Sequence, residues 1–127
     1  MRILLAEDEK ALSKALVKIF ESNNYSIDAV YDGEEALDYF EGGNYDAVIL
    51  DIMMPKVDGL MVLRLIREIE NRRHLSAEQQ AKIIMMTAIA DMEHVDRAFE
   101  LGCDAYASKP IEIDKVQEVM EDLGLIS

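Results

Sequence analysis

Five short strand-like runs, each followed by a segment of helical period, constrain this chain more than any other feature. Three of the runs, Arg2 to Ala6, Ala47 to Leu50 and Ile83 to Met86, are apolar, the first after its opening arginine, as strands buried on both faces of a parallel sheet are. Ser26 to Val30 and Tyr106 to Ser108 are weaker strand candidates. Apolar stripes at helical spacing follow: Leu12, Ala15, Leu16, Ile19 and Phe20; Ala36, Leu37 and Phe40; Val62, Leu63, Ile66 and Ile69; Met92, Val95 and Phe99; Val116, Val119, Met120 and Leu123. Asn23-Asn24, Gly42-Gly43 and Gly102 read as helix stops, Asp32-Gly33 as a turn, Asp58-Gly59 as a helix opening and Asp91 as a cap. Strand-then-helix units without repeats or a linker predict one α/β domain with a parallel sheet, and 127 residues at 50% hydrophobic content supply one core.

One connection is longer than such units need. Asn71 to Lys82 is polar, and Ser76-Ala77-Glu78-Gln79 fits the capping-box pattern, which predicts a short helical turn inside it.

Charge and cysteine usage narrow the partners and the setting. With 26 Asp and Glu against 13 Lys and Arg, the formal net charge of -13 excludes direct nucleic-acid binding, which needs a basic face. Cys103 is the single cysteine and forms no intrachain disulfide; after a helix-ending glycine it reads as a small packed residue. No apolar run reaches the roughly 20 residues of a membrane span, and the start lacks a signal peptide's ordered regions, so a cytoplasmic location without membrane association is expected. His74 and His94 lie apart on polar segments and are not expected to bind metal.

The chemistry gathers at the carboxyl ends of the strands, where open parallel sheets bind ligands. The first strand runs into Glu7-Asp8, the third into Asp51, the fourth into Thr87 and the fifth into Lys109. Converging carboxylates repel one another unless a cation shares the site, and oxygen ligands without His or Cys favour Mg2+. Lys109 and Thr87 add an ammonium and a hydroxyl suited to a phosphoryl group. An aspartate can hold phosphorus as an acyl phosphate, and Asp51, alone on a central strand, is the expected nucleophile, with Glu7 and Asp8 paired for the metal.

Four motifs in this order carry a resemblance: Ile3-Leu4-Leu5-Ala6-Glu7-Asp8-Glu9, Val48-Ile49-Leu50-Asp51-Ile52-Met53-Met54-Pro55 with Asp58-Gly59, Met86-Thr87-Ala88, and Gly102-Cys103-Asp104-Ala105-Tyr106-Ala107-Ser108-Lys109-Pro110. Across essentially its whole length the chain resembles the receiver domain of bacterial two-component response regulators, of the chemotaxis-regulator kind. The resemblance implies a receiver domain over residues 1–127, with a single doubly wound five-stranded parallel sheet in the flavodoxin-like order 2-1-3-4-5 and five helices. It implies Asp51 as phosphoacceptor, Asp8 as a direct Mg2+ ligand, Glu7 acting mainly through water, and the Met53 backbone carbonyl as the remaining protein ligand. Thr87, the Ala88 amide and Lys109 would contact the phosphoryl oxygens, Tyr106 would be the aromatic switch, and the Lys109–Pro110 bond would be cis. Glu7 stands where the family often has Asp.

The expected role is a phosphorylation-operated switch and not an enzyme acting on other substrates. A sensor histidine kinase or phosphotransfer protein is the donor, and an unidentified protein is the downstream target. A Mg2+-dependent phosphohydrolase is the rival, but such enzymes resemble one another in a second Asp two residues after the nucleophile, where this chain has Met53. A degenerate receiver serving only as a binding module is the third reading, opposed by the presence of every acceptor-site residue. A stand-alone regulator is expected, with a receiver trimmed from a longer regulator as the alternative. Two side chains that flank the approach of water to the acceptor in this family are here Met53 and Ile89, which predicts a long-lived phosphorylated state. The salt-bridged dimer of winged-helix regulators is not expected, because Asp104 is followed by Ala105 and Val116-Gln117-Glu118-Val119 holds no arginine.

Overall fold

The computed structural model describes residues 1–88, 93–109 and 111–125. Its elements alternate along the chain: β1 (Arg2–Ala6), α1 (Lys10–Ser22), β2 (Ser26–Val30), α2 (Gly33–Gly42), β3 (Ala47–Asp51), α3 (Gly59–Arg72), β4 (Lys82–Thr87), α4 (Val95–Leu101), β5 (Ala105–Ser108) and α5 (Ile113–Asp122). The five strands pair in parallel in the order β2-β1-β3-β4-β5. That is the expected flavodoxin-like arrangement.

The pleat divides the apolar strands between two cores. Leu4, Ala6, Val48, Leu50, Ile83 and Met85 face α2, α3 and α4, where they meet Phe40, Val62, Ile66 and Ala98. The alternate residues, Ile3, Leu5, Ala47, Ile49, Ile84 and Met86, face Leu16 and Phe20 of α1 and Val116 and Met120 of α5. Burial on both faces is why these strands are continuous apolar runs, and each large side chain so buried contributes about 1.5–3 kcal/mol.

Local signals set the boundaries. Asp32 and Asp58 cap α2 and α3 by accepting from the Glu35 and Met61 amides at 2.9 and 3.0 Å. Gly102 ends α4 in the left-handed region, at φ +104°. In the 71–82 connection one turn forms at Ser76, with the Gln79 side chain accepting from the Ser76 amide at 3.0 Å and the Gln79 amide donating to the Ser76 carbonyl at 3.0 Å. That is half of the capping box: the Ser76 hydroxyl is not the partner of Gln79.

The fourth helix departs from expectation. It begins at Val95, with His94 at the cap position, and Phe99 is 45% exposed where the periodicity places it inward. Seven residues make about two turns. Val95 and Ala98 fill the buried side of so short a helix, leaving Phe99 outside. The cap and stripe roles of Asp91 and Met92 lie outside the described residues.

Candidate functional site

The order β2-β1-β3 places the topological switch point between β1 and β3, where a crevice opens at the strands' carboxyl ends. Glu7 and Asp8 follow β1, Asp51 is the last residue of β3, Thr87 the last of β4, and Lys109 follows β5. Parallel register brings them together because each strand stops at the same level: Asp51 lies beside Met86, and Thr87 beside Ser108. Gly59 lets α3 start against this edge, since a Cβ there would overlap the Asp51 carbonyl oxygen, and its amide donates to the Ile52 carbonyl at 2.8 Å.

Three polar residues are buried here: Glu7 and Thr87 fully, and Asp51 at 5% exposure, while Asp8 is exposed. The Lys109 ammonium lies 2.8 Å from Asp51 Oδ2 and 2.7 Å from Glu7 Oε1. Only the Asp51 contact is aligned as a hydrogen bond; Glu7 Oε1 is a buried oxygen with charge compensation but, among the described residues, no hydrogen-bond donor. The other carboxylate oxygens are held from the backbone, Glu7 Oε2 by the Glu9 amide and Asp51 Oδ1 by the Met53 amide, both at 3.2 Å.

Charge decides the character of the crevice. Partial desolvation, reinforced by the neighbouring Glu7 carboxylate and its charge, raises the Asp8 carboxyl above the usual carboxylate value. Burial works to lower the Lys109 ammonium, but the hydrogen bond to Asp51 and the charges of Asp51 and Glu7 outweigh it and hold Lys109 above its ordinary value. Three acids against one ammonium leave a deficit of positive charge. One carboxylate oxygen from each of Glu7, Asp8 and Asp51 lies within 4.8 Å of the others. That all-oxygen set fits a hard divalent cation.

The remaining expected residues surround the cluster without joining it. Thr87 Oγ1 donates to the Ala88 carbonyl at 3.0 Å, so its hydroxyl is engaged locally. The Met53 side chain is 54% exposed beside Asp51. Tyr106 points outward, 39% exposed, and packs edge-on against Phe99 with ring centroids 6.4 Å apart. Ile89 and Pro110, and with them the flanking role of Ile89 and the cis bond, lie outside the described residues. Sequence reasoning places Lys109 as a phosphoryl contact but not as the link between Glu7 and Asp51. Among the described residues no helix is long and apolar enough to cross a membrane.

The family model of the response regulator receiver domain matches residues 3–121. The chain is 38% identical over 116 residues to the transcriptional regulatory protein DltR of Streptococcus agalactiae and 34% identical over 115 residues to the response regulator ArlR of Staphylococcus aureus. Each match covers 91% of this chain and 48% of the relative, so the chain spans about half the length of the curated relatives it matches. Among solved structures it is similar to the receiver domain of the sensor histidine kinase PA1611 from Pseudomonas aeruginosa, which holds a magnesium ion in its active-site cleft (29% identity, TM-score 0.81, 97% of each chain). A CheY-like receiver domain protein from Methanospirillum hungatei superposes equally well (26% identity, TM-score 0.81, 97% of this chain and 93% of that one). Sheet order, acidic crevice and family match agree, and the chain belongs to the response regulator receiver domain family.

Proposed function

We propose that this receiver accepts a phosphoryl group on Asp51 and uses it to switch a protein-binding face. The observation that carries the reading is Asp51 itself: a nearly buried carboxylate at the switch point, bonded to Lys109 and adjoined by the oxygens of Glu7 and Asp8. The donor is a phosphohistidine of a sensor kinase or phosphotransfer protein in the cytoplasm. In the transfer an Asp51 oxygen forms a bond to phosphorus as the phosphorus–nitrogen bond of the donor breaks. A Mg2+ held by Glu7, Asp8, Asp51 and the Met53 carbonyl would offset charge on the phosphoryl oxygens. The chain's own groups do the rest. Lys109, already at Asp51, supplies a positive charge, the Ala88 amide offers a donor, and the Thr87 hydroxyl exchanges its bond to the Ala88 carbonyl for one to a phosphoryl oxygen.

That exchange is the switch. A hydrogen bond to a charged oxygen contributes about 1.5–3 kcal/mol against about 1 for the neutral one it replaces, and this difference biases the conformation of the β4–α4 connection. Tyr106, exposed beside Phe99, turns inward as Thr87 moves, remodelling the face of α4, β5 and α5 that an unidentified protein target reads. The curated relatives carry a further half beyond the matched stretch, and the function proposed is that of the receiver unit in whichever chain carries it. Incubation with a small phosphodonor such as acetyl phosphate tests the reading. Acid-stable, hydroxylamine-sensitive label that requires Mg2+ is expected, and absence of label with Mg2+ saturating contradicts it.

A further inference from the structure

Arg67 on α3 spends its whole hydrogen-bonding capacity on Glu70 of its own helix and on two segments distant in sequence, Ala81 and Gly102–Asp104. Nε and Nη2 donate to the Gly102 carbonyl at 3.0 and 2.8 Å, Nη2 also to Asp104 Oδ2 at 2.9 Å, and Nη1 to Glu70 Oε1 and the Ala81 carbonyl at 2.7 and 2.9 Å. A guanidinium has five N–H donors, and all are used. The acceptors are themselves tied down. Glu70, with its side chain 1% exposed, accepts from the Ala81 amide at 2.7 Å through Oε2. Asp104 Oδ2 accepts from the Ile83 amide, and the Asp104 amide donates to the Ile83 carbonyl, each at 2.8 Å. Gly102 itself takes the left-handed backbone, φ +104°, that turns its carbonyl toward this helix end without side-chain strain.

This knot fastens the start of β5, a four-residue edge strand bonded to β4 alone. The other end of β5 is fastened at the acidic crevice, through the Lys109 amide on the Thr87 carbonyl at 2.7 Å and the Lys109 ammonium on Asp51. Between the two fastenings stands Tyr106. Paired with β4 at each of its four residues, β5 moves as one piece and passes a displacement of one end to the other, and here the far end is shared with Glu70 and Ala81, where the 71–82 connection returns to β4. We propose that Arg67 is a positioning residue that transmits the state of Asp51 along β5 to the 71–82 connection, at the opposite end of the sheet. The device gives a receiver a second responsive region besides the α4–β5–α5 face, and it rests on the switch reading above. It also engages Asp104 within the chain.

Amide hydrogen exchange of the intact chain tests the device, with the Ala81 amide as reporter because it bonds directly to Glu70. Phosphorylation with acetyl phosphate and Mg2+ should change its exchange rate about fivefold, the low end of site-to-site coupling. In Arg67→Met the acyl phosphate should still form while Ala81 no longer responds. Arg67→Lys keeps the charge but lacks the planar fork, and it too should stay silent. Asp104→Asn, which cuts one arm and leaves Arg67 in place, decides the matter should the Arg67 variants fail to fold, and it should lose the response at Ala81. An Ala81 rate unmoved in the phosphorylated wild type, or moved equally in the variants, overturns the proposal. If no acyl phosphate forms at all, the receiver switch fails instead. Asp51→Asn then serves as the perturbation, since it loosens Lys109: a change at Ala81 that needs Arg67 supports the device, and one indifferent to Arg67 overturns it.

Discussion

Replacing Asp51 with Asn should leave the metal-free protein about as stable as wild type, whereas replacing Lys109 with Met should cost about 3 kcal/mol. The asymmetry comes from the charges around each. At an effective dielectric constant of about 20, two unit charges 4.8 Å apart interact by roughly 3.5 kcal/mol and two at 2.8 Å by roughly 6. With 4.8 Å as the outer limit of the carboxylate separations, Asp51→Asn removes repulsion from Glu7 and Asp8 of about 7 kcal/mol or more on that scale, reduced by the solvent screening of exposed Asp8, and loses the attraction of Lys109, about 6. The two nearly cancel, so a net change within about 1 kcal/mol is expected. Lys109→Met leaves Glu7 and Asp51 buried without compensation, a loss of about 3–5 kcal/mol for a fully buried pair; with 22% of the Lys109 side chain exposed, the lower figure applies. Because the folded protein holds Lys109 above its ordinary value of 10.5, this contribution is complete below that pH and is lost as pH rises through the raised value. Urea unfolding in EDTA at pH 7 and again above pH 11 measures both claims: the deficit of Lys109→Met should shrink at high pH. Equal destabilisation by Asp51→Asn and Lys109→Met at pH 7 would refute the charge balance.

Other outcomes follow from individual contacts. Gly59→Ala should destabilise by about 2 kcal/mol or more in the same unfolding assay and slow phosphorylation, because the added methyl meets the Asp51 carbonyl. Met53→Asn should hasten loss of acyl phosphate after the donor is removed, since an amide can orient a water where the exposed thioether cannot; decay no faster than wild type dismisses Met53 as the determinant of lifetime. Cys103, buried and with its thiol pushed up to about 11 chiefly by burial, should resist thiol reagents at pH 8 until the protein unfolds.

The site is legible in the sequence because a parallel strand advertises its own end. Where Ile3 to Ala6 and Ala47 to Leu50 stop being apolar, the polar residues that follow lie at the crevice, and the sheet order then fixes which ends meet. The bridging of Glu7 and Asp51 by Lys109 is not legible, because it depends on the length and direction of three side chains from strands far apart in the chain. Arg67 escapes a sequence reading for a related reason: an arginine on a charged helix reads as surface, and its acceptors Gly102 and Asp104 are 35 and 37 residues away. A signal exists in Glu70, which lies four residues after Ile66 and so on the buried side of α3, where a carboxylate needs a cation close by. Phe99 lies outside its expected stripe because helical period locates a stripe only when the helix is long enough to have a full buried face, and α4 is not.

The claim on which the functional reading turns is that Asp51 takes the phosphoryl group. The direct measurement is phosphotransfer from a phosphohistidine protein in Mg2+, followed by borohydride trapping of the acyl phosphate and peptide mass spectrometry of wild type and Asp51→Asn. Modification confined to Asp51, absent from Asp51→Asn and dependent on Mg2+, is the expected result. Modification at Glu7, Asp8 or any other carboxylate in the wild type, or undiminished labelling of Asp51→Asn, would contradict it.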